Sequence, residues 1–243
     1  MNHFIVLEVK FEFDGVENTI YPVLLCDENE VILVDCGYPG FLKLIKDITE
    51  SKGIDMNRLT KIIITHHDYD HMGSLAAFKR EYPDIIILSS FNDEPYVSGK
   101  EKSLRLQQAE KLYNHLPENE KEGARGFHQM LESIEPSNVD IGLHDGDSFP
   151  WCGGVEIIAT PGHMPGHISI YLKDFKTLIS GDALVIENGD LVIANPRYTL
   201  DIVEAKKSIK KLLSREIDKV ICYHGGVYAQ NNIKESLQKL SST

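Results

Sequence analysis

Residues 62–74 read IIITHHDYDHMGS: an apolar, β-branched run, then His66, His67, Asp68, Asp70 and His71 within six consecutive positions. A short isoleucine run closed by polar residues is the pattern of a strand buried on both faces. Such a strand delivers its imidazoles and carboxylates together at one edge of a sheet. Those are the side chains that bind Zn, Fe or Mn.

The same grammar recurs along the chain. VEIIATPGHMPGH (155–167) carries His163 and His167 beyond its apolar run, TLISGD (177–182) ends on Asp182, and KVICYHGG (219–226) sets His224 just past its strand. One loop histidine is ordinarily solvated or hydrogen-bonded. Four strand ends bearing such groups predict a metal site, because strand ends on one sheet edge converge in space while remote in sequence.

Around these runs lie further elements. FIVLEVKFEF (4–13) reads as one strand, followed by a turn at DGVEN (14–18) and strands in TIYPVLLCD (19–27) and EVILVDCG (30–37). Leu42, Leu44, Ile45 and Ile48 mark a helix over 41–53 that Gly53 can end. GSLAAFKREYP (73–83) is a helix stopped by Pro83, and DIIILSS (84–90) a strand. From about 95 to 136 the rhythm breaks. Two charged amphipathic helices are expected there, one with Leu104, Ala109, Leu112, Tyr113 and Leu116 as its stripe, the other with Phe127, Met130, Leu131 and Ile134. LPENEKEGARG (116–126) reads as the loop between them. Strands ISIYLKD (168–174) and TLISGDALV (177–185), a helix at about 199–214 and a terminal helix complete the pattern. No linker composition brackets 95–136, so the chain reads as a single α/β domain over 1–243 carrying a helical insertion, with helices on the outer faces of packed sheets. The insertion serves either as plain surface packing or as a cap over a site.

At 243 residues the chain can bury a substantial core without disulfide staples. A net charge of −12 argues against a protein whose main task is holding nucleic acid, since phosphate contacts need clustered Lys and Arg, and no nucleic-acid partner is expected. It leaves open a small anionic substrate, because a metal supplies positive charge locally. Cys26, Cys36, Cys152 and Cys222 form no CxxC pair and are expected reduced and buried. MNHFIVLEVKFEFDG has neither the basic nor the long apolar segment of a secretory signal, and no apolar run reaches the ~18 residues of a membrane span. A cytoplasmic protein without a membrane partner is expected.

THHDYDH, TPGHMPGH, GDA and YHGG, in this order, resemble the metallo-β-lactamase-fold hydrolases, whose signature is HxHxDH followed by His, Asp and His. VILVDCGYPG (31–40) resembles the strand and turn that open that fold, and the 19 residues from His163 to Asp182 are typical of the family. The resemblance implies a four-layer αββα sandwich with two divalent metal ions per chain, zinc foremost, on one edge. It implies His66, Asp68 and His163 on the first metal, Asp70, His71 and His224 on the second, and Asp182 bridging. His67 and Tyr69 are expected to turn away, and His167 either to support the ligands or to serve as a plain structural histidine.

Asp68 departs from this pattern, which has histidine there. Two divalent ions set against three carboxylates and a shared hydroxide give a neutral cluster, where histidine would leave it one unit positive. A harder, more anionic first site admits iron or manganese besides zinc. Flavodiiron proteins of this fold place a glutamate there and need a flavin-bearing domain; with 19 residues after His224, none is expected here.

Two ions sharing a water suit hydrolysis of a small-molecule substrate, with Asp70 as proton acceptor beside the bridging Asp182. N-acyl homoserine lactonases resemble this chain in size and in having helical insertions, so a lactone or ester is the expected substrate. Their assisting tyrosine follows the bridging aspartate closely; here Val185 stands there, and Tyr198 in NPRYTLD is the candidate instead. The alternatives are a phosphodiester or thioester substrate, a non-hydrolytic metal-binding sensor and an iron redox protein. A homodimer fits the family, although no residue pattern fixes it.

Overall fold

A strand whose two faces are both covered can be apolar at every position, and here both classes of position find a core. In the computed structural model, which describes residues 2–13 and 15–242, the chain first forms β1 (His3–Val6), β2 (Val9–Phe13), β3 (Val16–Ile20), β4 (Val23–Cys26) and β5 (Val31–Val34). Helix α1 (Leu42–Ser51), β6 (Lys61–Ile64), α2 (Tyr69–Met72), α3 (Leu75–Glu81) and β7 (Ile86–Ser90) follow. Then come α4 (Glu94–Val97), α5 (Leu104–Tyr113) and α6 (Lys121–Glu132), before β8 (Ile141–Leu143). The second half adds β9 (Ser148–Phe149), β10 (Val155–Ala159), β11 (Ile168–Leu172), β12 (Thr177–Gly181), β13 (Val185–Glu187) and β14 (Asp190–Val192). It ends with α7 (Ile202–Leu212), β15 (Lys219–Cys222), β16 (Gly226–Tyr228) and α8 (Ile233–Ser242).

Two six-stranded sheets result, ordered β1-β4-β5-β6-β7-β8 and β16-β15-β12-β11-β10-β9. β5 to β8 run parallel, as do β12 and β15. Side-chain alternation sorts the apolar residues into three cores. Leu24, Leu33, Ile62 and Ile64 pack with Ile45 of α1 and Phe78 of α3. Their alternates Val23, Leu25, Ile32, Val34 and Ile63 meet Ile157, Ile170, Ile179 and Ile221 of the other sheet. Val220 and Cys222, on the far face of the second sheet, pack with Ile209 and Leu212 of α7 and Leu237 of α8. Helix, sheet, sheet, helix: the expected four-layer αββα arrangement. All four cysteines are free and buried.

Several elements differ from the sequence reading. Residues 4–13 make two strands, because the chain breaks at Leu7, whose N–H donates to Pro22 O at 2.8 Å, and β2 leaves the sheet to pair with β3. Asp14, the first residue of the expected turn, lies outside the described residues. Residues 185–192, VIENGDLV, form a separate β13–β14 hairpin with Asn188 and Gly189 at positive φ, a dipeptide that favours such turns. The loop inside the insertion is shorter than expected, since α6 already starts at Lys121, and α7 starts at Ile202 rather than near 199. In α5 the buried residues are Arg105 and Leu106, while Leu112 of the expected stripe is exposed. No helix among the described residues is long and apolar enough to cross a membrane.

Candidate metal centre

β6, β10, β12 and β15 end toward one edge, and the side chains just beyond them meet. His66, Asp68 and His163 form one group, Asp70, His71 and His224 another, and His66, His71 and Asp182 a third that joins them; within each group the nitrogen and oxygen atoms lie within 4.8 Å of one another. The segment after β6 soon turns into a helix. Asp68 stands in extended conformation ahead of the one-turn helix α2, so Asp70 and His71 leave a helical turn as neighbours.

Three of the spacings are those of donor atoms around a cation, and the two shortest are hydrogen-bond distances. His163 Nε2 lies 3.0 Å from Asp68 Oδ2 and 3.5 Å from Asp182 Oδ2, and His66 Nε2 lies 3.4 Å from Asp68 Oδ2. On the other side, His224 Nε2 is 3.1 Å from Asp70 Oδ2, and His71 Nε2 is 3.4 Å from Asp182 Oδ1. A tetrahedral ion with bonds of about 2.0–2.2 Å sets neighbouring donors roughly 3.3–3.6 Å apart. His66 Nε2, His71 Nε2 and Asp182 Oδ1 are moreover buried without any hydrogen-bond partner. Orphaned polar atoms are costly inside a protein. Metal ions placed among these seven side chains remove that cost, so the residues fit the group.

Supporting contacts fix which imidazole nitrogen faces inward. Asp35, directly after β5, accepts from Thr65 N (2.8 Å) and Thr65 Oγ1 (2.8 Å) through its two oxygens, and lies 2.9 Å from His71 Nδ1. His71 Nδ1 therefore donates to the carboxylate and Nε2 is left free. His66 Nδ1 lies 3.1 Å from Thr65 Oγ1, which leaves its own Nε2 free. Asp35 holds a left-handed φ of 61°, a conformation aspartate tolerates better than most residues. His167 plays a different part. Its Nε2 accepts the backbone N–H of Asp182 at 2.9 Å while Nδ1 meets Thr160 Oγ1 at 2.8 Å, so it positions Asp182 and both of its ring nitrogens are already engaged. Gly181 permits this approach, because a Cβ there would stand 2.7 Å from His167 Nε2.

Electrostatics agree with this assignment. Burial disfavours charge on Asp68 and Asp182, yet the first is held well below the usual carboxylate range by His163, His66 and Arg105, and the second by His224 and His71. Burial and the adjacent His71 push His66 well below an ordinary imidazole, and burial takes His167 down to about 3. For His71 burial is outweighed by Asp35, Asp182 and Asp70, whose negative charge favours positive charge at this place, a proton on the ring or a metal ion at Nε2.

His67 does turn away from the centre. Its Nδ1 pairs with buried Asp93 at 2.8 Å, its ring stacks on Tyr96, and its Nε2 accepts from Leu104 N at 3.3 Å. It anchors the start of the insertion. His67→Ala is expected to leave metal content unchanged while lowering stability by about 3 kcal/mol, because Asp93 is left buried and unpaired. Metal analysis and a thermal melt check this; loss of metal would contradict it. Tyr69, by contrast, does not leave the site. It lines the cleft beside Asp70 and packs edge-on against Tyr38 and Phe127. Tyr198 stands on the cleft rim, 46% exposed.

Three contributors escaped the sequence reading. Asp35 was legible only as part of a resembling strand and turn. Tyr38, in the same stretch, lines the cleft and is kept protonated by burial and by the charges of Asp70 and Asp182. Arg105 of α5, 3% exposed, grips Asp68 with two parallel hydrogen bonds, Nε to Oδ1 at 3.1 Å and Nη2 to Oδ2 at 2.6 Å. The negative charge of Asp68 therefore does not stand alone, and the charge count made from the ligands omitted a cation.

Comparison with other proteins agrees with this geometry. A probable metallo-hydrolase of Bacillus subtilis (strain 168), YflN, is 27% identical over 244 residues, covering 93% of this chain and 87% of that one. A hydroxyacylglutathione hydrolase of Brucella anthropi is 32% identical over 108 residues, covering 44% of this chain and 39% of its own length. Among solved structures, the metallo-beta-lactamase family protein TTHA1429 of Thermus thermophilus superposes with a TM-score of 0.74 at 21% identity, over 98% of this chain and 78% of that one. The sequence profile of the metallo-beta-lactamase superfamily spans residues 17–224, from β3 to His224, the last of the clustered histidines. Four layers, ligands at the strand ends and a profile over most of the length lead to one assignment: the chain belongs to the metallo-beta-lactamase superfamily, a superfamily of hydrolases.

Proposed function

We propose that this protein hydrolyses a small carboxylic ester, a lactone foremost, with a hydrophobic arm on its acyl side. The observation that carries this reading is a pair of cavities that share a wall. The cleft over the clustered histidines, about 390 Å³, and a second cavity of about 470 Å³ between α5 and α6 have Tyr69, Arg105 and Tyr198 in common. Ala109, Leu112, Leu116, Ala124 and Phe127 give the second cavity an apolar wall. The insertion thus offers an acyl chain a place beside the site, as ligand cavities commonly do.

When bound, two divalent ions, zinc foremost, supply a nucleophilic water at neutral pH and polarise the substrate oxygen. The residues of the chain do the rest. Asp70, with its carboxylate in the cleft and 3.1 Å from His224 Nε2, is placed to take a proton from the attacking water. Tyr38 and Tyr69 line the cleft and are kept protonated by burial and by Asp70, which makes them the candidate hydrogen-bond donors toward charge developing on the substrate oxygen. Tyr198 lines both the cleft and the acyl cavity where they meet, and we assign it the place beside the leaving group. The substrate is a small molecule, and the net charge of −12 speaks against nucleic acid.

A pH-stat assay of the metal-replete protein on lactones of increasing acyl length tests this reading. Proton release that rises with chain length supports it; silence across the panel removes it. Ala124→Trp fills the cavity wall and is expected to raise KM for the longest acyl chain roughly 10-fold or more, leaving the shortest within about twofold. Equal effects on both would detach the cavity from substrate binding. One observation favours a second reading, a thioester: the 32% identity with hydroxyacylglutathione hydrolases over half of this chain or less. Thiol release from S-acylglutathiones, followed in the same preparation, separates the two.

A further inference from the structure

Arg105 spends every strong contact on holding one place together. Besides the two bonds to Asp68, its Nη1 donates to Gln108 Oε1 at 2.6 Å and its Nη2 to the backbone carbonyl of Tyr198 at 2.9 Å. Nη2 also lies 3.4 Å from His163 Nε2, so the guanidinium flanks two of the three side chains of the first group. A guanidinium this buried is stable only beside an anion, and a buried carboxylate only beside a cation. Asp68 is the carboxylate that Arg105 touches, and the flat two-pronged geometry is one that lysine cannot reproduce. The residue comes from the insertion, whereas Asp68 comes from the loop after β6.

We propose that Asp68 and Arg105 form one neutral unit that replaces the histidine usual at position 68, with Arg105 as a positioning residue for the first metal. Asp68 Oδ2 faces His66 and His163 on one side and Arg105 on the other. The carboxylate supplies an oxygen donor, and the guanidinium cancels its charge and fixes its rotation. Position 68 then contributes the same net charge that a neutral imidazole would. The anionic shift expected from Asp68 alone is offset, and the insertion becomes a structural part of the metal centre. This inference rests on the metal-dependent reading given above.

The coupling is testable without any substrate. Bound zinc per chain, zinc affinity by chelator competition, and the ligand-field spectrum of the cobalt-loaded protein are measured for wild type, Arg105→Met, Arg105→Lys, Asp68→His and Asp68→His/Arg105→Met. Wild type is expected to hold two ions. Arg105→Met and Asp68→His should each lose first-site affinity by roughly 10- to 100-fold, the scale for removing a group that orients a ligand. Arg105→Lys should recover only part of it. The double variant should return to two ions and to a four-coordinate cobalt spectrum, because histidine needs no guanidinium. Arg105→Met with wild-type affinity would overturn the proposal. So would a double variant no better than Asp68→His, a comparison that holds even if Arg105→Met does not fold. A wild-type protein that binds no metal would instead sink the metal-dependent reading itself.

Discussion

Asp182→Ala is expected to abolish hydrolysis, by roughly a thousandfold or more, and to cut bound metal below two ions per chain. Asp182 belongs to the group that joins the other two through His66 and His71, and it lies beside histidines of both. Its Oδ1 lies 3.4 Å from His71 Nε2, and its Oδ2 lies 3.5 Å from His163 Nε2 and 3.7 Å from His224 Nε2. Removing it would take a charged oxygen donor from beside the histidines of both groups at once. The apo fold should tolerate the change, because Oδ1 has no hydrogen-bond partner to lose. Thermal melts in chelator should therefore coincide with wild type within a few degrees, while the increase in Tm on adding zinc should shrink, since only ligand binding to the native state raises it. An Asp182→Ala protein with full metal content and a wild-type metal-dependent shift would remove Asp182 from the bridge.

Asp35→Asn should act from one step further away and still be severe. Asp35 is 1% exposed and takes Thr65 N, Thr65 Oγ1 and His71 Nδ1 as its partners. Asparagine keeps the shape and accepts the left-handed backbone, but it removes the charge and turns an N–H₂ toward groups that themselves donate. His71 then loses the acceptor that presents its Nε2 inward. Metal affinity is expected to fall 10- to 100-fold, and apo stability by about 3 kcal/mol, as for breaking a buried pair. Chelator competition and urea unfolding check the two parts. Reduced stability with unchanged affinity would make Asp35 a purely structural residue.

What the sequence disclosed and what it hid follow from the range of the forces involved. Strands such as VILV (31–34) and the isoleucine run 62–64 of β6 were legible because two-sided burial leaves no polar position in them, and the clustered His and Asp residues because each stands beyond such a run. His66, Asp68, Asp70, His71, His163, Asp182 and His224 meet in the structure in the two groups and the junction that the family resemblance implied. The one-turn helix α2 was not legible; four residues carry too little periodicity to separate a helical turn from a loop. The break at Leu7 was hidden for another reason. It depends on a backbone bond to Pro22, a tertiary contact without a local signal. Arg105 was hidden most thoroughly. An arginine in LRLQQAEKLY reads as one more solvated charge on a helix, and only the fold brings it to Asp68, 37 positions earlier. Tyr69, expected to turn away, stays beside the cleft because the chain turns into helix α2 at that residue.

The most direct test of metal-dependent hydrolysis is a reconstitution titration. The protein is stripped with chelator, divalent metal is returned in measured equivalents, and hydrolysis of long-chain lactones and S-acylglutathiones is followed at each step. The account predicts no turnover in the stripped protein and a rise that levels off at two equivalents per chain. Turnover that survives stripping, or a fully loaded protein inert toward every ester and thioester offered, would contradict it.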